Sequence, residues 1–166
     1  PALLKLGVPL IVSHMFVFYY GIIADLTPPV ALAALAAAPI AKASPNDIGW
    51  QATRIALAGF LLPFMAVFEP SLMLQDGGAI AAKYGYWVEV VVVFSKALVT
   101  MGITGIAAIG YCFTRTHIIE RVLAGVAAFL LIAPWAWTDY AGLTLSAAVV
   151  LFNFLKRRTL SAGTPT

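Results

Sequence analysis

A carboxylate and a hydroxyl stand beside a double proline near the start of the sequence, in the segment Asp25-Leu26-Thr27-Pro28-Pro29. Apolar runs flank this segment, so an ionisable group lies in a stretch that otherwise suits lipid. Such a residue is costly at membrane depth and therefore predicts a functional site. Hard oxygen ligands suit Na⁺, and free amides at a helix start suit an anion. We predict an ion or substrate site here, with Thr27 and Asp25 as Na⁺ ligands.

The backbone at this segment belongs to the predicted site, because a helix that stops leaves carbonyl oxygens without helical partners. The alternative is structural: the prolines only kink a helix, and Asp25 caps its second half. The binding interpretation is favoured, because irregular backbone at membrane depth persists only where it is buried in protein or lines a wet cavity. The predicted site comprises Ala24, Asp25, Leu26, Thr27, Pro28 and Pro29, with His14 as a further candidate.

His14 lies eleven residues before Asp25, or about 16 Å along a straight helix. The two side chains therefore cannot pair directly. His14 could relay protons or contact substrate, but a hydrogen bond to a neighbouring helix is the role we favour. An aromatic cluster precedes the break, and core packing is its favoured role: Phe16, Phe18, Tyr19 and Tyr20.

The composition requires an apolar solvent for the helices that carry these residues. The chain has 166 residues, of which 62% are hydrophobic and 10% charged, with a mean hydropathy of +0.96. A soluble domain of this size could not bury so much apolar surface. We therefore predict an all-α, polytopic integral membrane helix bundle with one proline-broken helix. The charge-poor runs are residues 7–41 (broken at the prolines), 50–68, 97–114, 122–138 and 140–155.

The helix break has predicted limits. The first half should stop near Ala24, because proline disfavours the helical conformation in the preceding residue. The second half should start at the prolines, which suit a first helical turn. Small residues spaced four apart in that half predict close helix packing through Ala33, Ala37 and Ala41. Pro63 and Pro134 predict kinks elsewhere.

Four regions follow from these runs. Residues 1–75 carry the broken helix and the helix 50–68, residues 76–86 form an external loop, residues 87–158 form an extension of about three helices, and residues 159–166 form a cytoplasmic tail. The chain begins at Pro1 without an initiator Met, which favours the C-terminal part of a longer protein. Lys96 is expected to snorkel toward the outer surface, with Glu89 as its partner on the same helical face.

The basic residues predict the orientation. They collect on one side of the proposed membrane, which the positive-inside rule makes cytoplasmic, and this distribution does not suggest nucleic-acid binding. No metalloprotease, nucleophile-elbow or nucleotide-binding motif appears, so we expect no enzyme activity. The single Cys112 excludes an internal disulfide and is expected to be buried. The cytoplasmic set is Lys42, Arg54, Arg115, Arg121, Lys156, Arg157 and Arg158.

Three segments resemble TRAP transporters, the tripartite ATP-independent periplasmic transporters. They are residues 14–34 (HMFVFYYGIIADLTPPVALAA), residues 50–64 (WQATRIALAGFLLPF) and residues 69–74 (EPSLML). The resemblance is to the large permease subunit, in the form fused to the small one and associated with TAXI-type binding proteins. It covers about residues 1–75, and the part from about residue 86 resembles the extension of uncharacterised role found on fused permeases.

The resemblance implies a Na⁺-coupled elevator importer of organic anions in the bacterial inner membrane. A periplasmic TAXI-type binding protein would deliver the organic acid, and the small permease subunit would be fused upstream. Na⁺ would be the coupling ion, with no other cofactor. The segment from Thr27 would be the unwound part of a transport helix, and Pro1 to Lys5 the end of a re-entrant hairpin. Two alternatives stay open: a different polytopic permease, and an intramembrane enzyme using His14 and Asp25.

Overall fold

The computed structural model describes the backbone of residues 2–162 and the side chains of residues 2–158. That part of the chain is helical and contains no β-strand, which confirms the predicted all-α class. Three helices are long and apolar enough to span a membrane: Pro45–Phe68, Tyr86–Ile109 and Ala136–Arg158. The helices are α1 (Ala2–Lys5), α2 (Leu10–Ala24), α3 (Leu32–Ala41), α4 (Pro45–Phe68), α5 (Ala79–Tyr84), α6 (Tyr86–Ile109), α7 (Ile118–Ile132) and α8 (Ala136–Ala162).

The chain divides into two compact units, Pro1–Ala97 and Leu98–Thr166. In the first unit the helix break is confirmed, because α2 ends at Ala24 and α3 follows only at Leu32. The predicted start of the second half at the prolines is wrong. Ala31 adopts a left-handed conformation with φ of 36°, so a regular helix begins only after it.

The predicted packing ridge of α3 is also wrong. The buried residues of this helix are Ala34 and Ala38, whereas Ala33 and Ala41 are exposed. Ala31 lies against Gly49 of α4, where an added β-carbon would be 3.3 Å from the Ala31 Cβ. Positions three and seven residues further along a helix share that face, so Ala34 and Ala38 continue the same buried line.

Helix α4 ends at Phe68 as predicted but starts at Pro45 rather than residue 50. Ser44 caps its first turn: the Ser44 hydroxyl oxygen accepts a hydrogen bond from the Asp47 amide at 3.2 Å. The hydroxyl also donates to the Asp47 carboxylate at 2.7 Å. Serine before proline and an acidic residue in the first turn is a typical helix start, so the residues before Trp50 are helical rather than a loop.

The segment between α4 and α6 is folded rather than open. A 3₁₀ helix at Pro70–Met73 and the short α5 occupy it. The carboxylate of Glu89, at the start of α6, accepts hydrogen bonds from the amides of Gly78 and Ala81, each at 2.7 Å. Lys96 instead forms a salt bridge with Glu69, at 3.3 Å. The predicted pairing of Lys96 with Glu89 is wrong, because two backbone amides occupy the Glu89 carboxylate.

In the second unit, α7 and α8 form an antiparallel hairpin. Pro134 lies in the turn between them and not inside a helix, so it ends α7 instead of kinking it. The apolar core of this unit is built mainly from small residues, which lets the helices approach closely. Cys112 is a free cysteine, and it is only half-buried rather than buried as predicted. The core cluster comprises Ile103, Ala124, Ala127, Ala128 and Val149.

The closest approach within this hairpin is at Gly142. A β-carbon there would lie 2.8 Å from the Leu131 Cγ and 3.2 Å from the Ala127 carbonyl oxygen. We expect Gly142→Ala to destabilise the hairpin by about 1–3 kcal/mol, because a methyl group would force the helices apart. Gly125→Ala is the matched control, since a β-carbon at Gly125 meets nothing within 4 Å.

The measurement is the thermal unfolding midpoint of the purified full permease in detergent. Gly125→Ala should hold or raise the midpoint, because alanine favours helix over glycine by up to about 1 kcal/mol. Equal midpoints for the two variants would show that the α7–α8 contact has room for a side chain.

Candidate ion and substrate site at the helix break

The last turn of α2 closes on itself at the break. The amide of Leu26 donates to the Ile23 carbonyl at 2.9 Å, and the amide of Thr27 donates to the Ala24 carbonyl at 3.2 Å. Each carbonyl has two lone pairs, so one such bond leaves capacity for a second contact. The backbone oxygens predicted to lose their partners thus have partial partners from the turn itself.

The Thr27 hydroxyl lies over the same two carbonyls. Its oxygen is 3.3 Å from the Ala24 carbonyl and 3.4 Å from the Ile23 carbonyl. Both contacts are long for O–H···O hydrogen bonds, so the hydroxyl oxygen keeps lone pairs that can face a cation. Thr27 is half-buried, which places a polarised oxygen at the end of α2.

Asp25 adopts a helical conformation at the C-terminal end of α2, with φ of −67° and ψ of −18°. Its backbone carbonyl accepts a hydrogen bond from the Ala33 amide at 3.1 Å, which joins the two helical halves. Its side chain is exposed and has no hydrogen-bond partner among the described residues, and Ala31 occupies the N-cap of α3 without a side-chain cap. The alternative in which the Asp25 carboxylate caps the second half is therefore wrong.

Helix α4 supports the break from one side. The Thr53 hydroxyl donates to the Gly49 carbonyl at 2.8 Å and lies 3.5 Å from the Leu26 carbonyl. A β-carbon on Gly49 would come within 3.0 Å of the Pro28 Cγ. Glycine is therefore the residue that lets α4 lie directly against the proline turn. Gly49 and Thr53 were not among the predicted site residues, although a glycine four residues before a threonine in an apolar helix is a visible signal.

The two prolines shape the site and contribute no donor to it. A cis peptide bond joins Pro28 to Pro29. The turn is closed beyond them by the amide of Ala31, which donates to the Thr27 carbonyl at 2.9 Å. Pro28 is half-buried against α4 and Pro29 is exposed, so the predicted residues Ala24 to Pro29 do form one continuous turn.

His14 is not part of this turn. Its side chain is exposed and makes no hydrogen bond within the described part of the chain, so the favoured bond to a neighbouring helix is absent there. The aromatic cluster is confirmed as packing for Phe16 and Tyr20, and the Tyr20 hydroxyl donates to the Phe60 carbonyl at 2.6 Å. The Phe16 and Phe64 ring centroids are 5.4 Å apart. Phe18, at 63% exposure, lies outside this packing.

The chemistry available at the break is that of a few hard oxygens. The described residues hold no group of three His, Cys, Asp or Glu side chains that could bind a metal ion. The oxygens present are one hydroxyl, one exposed carboxylate and main-chain carbonyls. A monovalent cation held at a discontinuous helix uses this kind of ligand set.

Comparison with known proteins places the break inside a recognised sequence family. Residues 1–77 match the family model described as the tripartite ATP-independent periplasmic transporter, DctM component. No curated protein and no solved structure matches the chain. The matched range includes α1 to α4 and the break, and it ends before α5.

Proposed function

We propose that this chain, whose residues 1–77 belong to the DctM family of TRAP transporter permeases, takes part in Na⁺-coupled import of organic anions. In this proposal the break between α2 and α3 holds the coupling ion. The observation that supports it is the position of the Thr27 hydroxyl oxygen, 3.3 and 3.4 Å from the Ala24 and Ile23 carbonyls at the end of α2. In this proposal that oxygen is a hard ligand for the ion at a discontinuous membrane helix.

In this proposal, the positive charge of the bound Na⁺ couples ion binding to substrate binding. A Na⁺ held mostly by neutral oxygens keeps its positive charge, so it favours a carboxylate substrate nearby. The field of a cation is little screened in a low-dielectric site. The exposed carboxylate of Asp25 lies in the same turn as Thr27, and in this proposal it is an additional ligand for the ion.

The proposed partners follow from the permease family. DctM permeases normally work with a periplasmic binding protein and a small permease subunit. We propose a binding protein of the TAXI type, a small subunit fused upstream and an organic acid as the substrate. The proposed location is the bacterial inner membrane, with α8 ending on the cytoplasmic side.

The test is uptake into proteoliposomes that contain the full permease. Radiolabelled organic acids are offered with the cognate binding protein, and an inward gradient of Na⁺ is compared with an equal gradient of K⁺. We expect uptake only when both the Na⁺ gradient and the binding protein are present. Equal uptake with K⁺ would refute sodium coupling, and uptake that needs no binding protein would refute the tripartite arrangement.

The orientation has its own measurement. A single cysteine replaces Asp76, in the segment between α4 and α6, in permease lacking other reactive cysteines. An impermeant maleimide should label it from the periplasmic side of oriented membrane vesicles. Labelling only from the cytoplasmic side would reverse the proposed topology.

A further inference from the structure

A groove of about 780 Å³ lies between α7 and α8. Its long walls are apolar: Leu123 comes from α7, and Leu145, Val149 and Phe152 come from α8. Leu123 and Phe152 are exposed at 40% and 60%. An apolar trough this open needs a covering of lipid or protein.

One end of the groove is polar. His117, Glu120 and Lys156 line it there. Glu120 is buried, and the Lys156 ammonium lies 3.4 Å from one of its carboxylate oxygens. Asn153 donates to the other carboxylate oxygen at 3.0 Å. The acidic charge in the groove is therefore matched by its own partners and does not face outward as a free charge.

The exposed charges near this end are basic. The Lys156 ammonium donates to the Arg115 carbonyl at 3.2 Å, so the loop before α7 lies beside the end of α8. Arg115 is exposed there, whereas Arg157 and Arg158 lie over the Phe113 and Phe154 rings, outside the groove. The groove thus combines long apolar walls with a polar end, where the charges of Lys156 and Glu120 balance and Arg115 adds an exposed positive charge.

We propose that this groove binds an anionic phospholipid, with an acyl chain along the apolar walls and the phosphate at the end that carries Lys156. Charge complementarity supports this occupant, because exposed basic groups beside an apolar cleft at the membrane surface attract anionic headgroups. A transmembrane helix would cover the apolar walls but would leave the exposed basic group at the polar end without an anionic partner. The site is separate from the helix break and needs no assumption about transport.

Photo-crosslinking identifies the occupant. A benzophenone amino acid replaces Ala148, which lines the groove and is exposed, in the full permease in native membranes. Irradiation should give adducts whose mass and phosphorus content are those of a phospholipid. Crosslinks to another protein segment at this position would overturn the proposal.

The preference for an anionic headgroup is measured by electron spin resonance. Spin-labelled phosphatidylglycerol and phosphatidylcholine are each added to the reconstituted permease, and the motionally restricted fraction is compared. We expect phosphatidylglycerol to associate about fivefold more strongly, because each nearby basic group contributes about that factor at a membrane surface. Equal association of the two lipids would overturn the proposal.

Three variants separate the contribution of the apolar walls from that of the charge. Ala148→Trp should abolish the preference by filling the groove, whereas Leu151→Trp should retain it, because Leu151 is exposed outside the groove. Equal behaviour of these two variants would refute a site in the groove. The variant Arg115→Gln removes the exposed positive charge and leaves the Lys156–Glu120 pair in place. It should lower the preference at least twofold, and an unchanged preference would overturn the placement of the headgroup at this end.

Discussion

Thr27→Ala in the full permease is expected to raise the Na⁺ concentration for half-maximal uptake about tenfold. Removing one good ligand from a buried ion costs about 1–3 kcal/mol, by analogy with an unpaired polar group, and 1.4 kcal/mol is a factor of ten. Thr27→Ser is the matched control, because it keeps a hydroxyl that can donate to the Ala24 carbonyl. Uptake is measured in proteoliposomes as the external Na⁺ concentration is varied.

The serine variant should stay within about twofold of the wild type, since it keeps the hydroxyl oxygen and the lost methyl group is not a ligand for the ion. If alanine and serine at position 27 have the same Na⁺ dependence as the wild type, the ion binds elsewhere. The break then serves the substrate or is structural.

Asp25→Asn completes this experiment. The Asp25 side chain has no partner in the described structure and does not cap α3. A higher Na⁺ concentration for half-maximal uptake would therefore identify the Asp25 carboxylate as a ligand for the ion. An unchanged Na⁺ dependence would restrict the ion to Thr27 and the main chain.

Asn153→Leu is expected to cause the largest loss of stability. Asn153 is fully buried, and its side-chain oxygen accepts hydrogen bonds from the amides of Phe113 and Thr114, each at 3.0 Å. Its amide group also donates to Glu120. Leucine would leave two amides and one carboxylate oxygen without this partner, at a cost of about 3 kcal/mol or more.

The measurement is the thermal unfolding midpoint of the full permease, which should fall by roughly 5 °C or more. Thr144→Ala on the same helix is the control, because its exposed hydroxyl donates only to the nearby Ala141 carbonyl at 2.9 Å. Equal midpoints for both variants would show that the loop before α7 does not depend on Asn153.

The sequence predicted the fold class and the site of the helix break because both depend on local rules. A double proline stops a helix wherever it stands, and a chain with 62% hydrophobic residues needs lipid. The sequence did not predict correctly which face of a helix packs against a neighbouring helix. The buried alanines of α3 are Ala34 and Ala38 rather than Ala33 and Ala37, and the contact with Gly49 that decides this is not local.

Charged partners were the second kind of failure. Glu89 and Lys96 share a helical face, so spacing alone makes them a pair. In the structure, Glu89 accepts hydrogen bonds from two backbone amides, and Lys96 forms a salt bridge with Glu69. Backbone amides without partners are invisible in a sequence until the loop that exposes them is known. The same limit concealed Asn153, an amide side chain in an apolar helix whose partners lie 33 to 40 residues away.

The Glu89 contact also bears on the order in which the chain acquires its structure. Helix α5 has only six residues and no side chain of its own at the N-cap. A helix this short is unstable in isolation. The group that satisfies its first amides belongs to a residue made later, in the first turn of α6. We therefore expect the segment 79–84 to become ordered only after residue 89 has been synthesised.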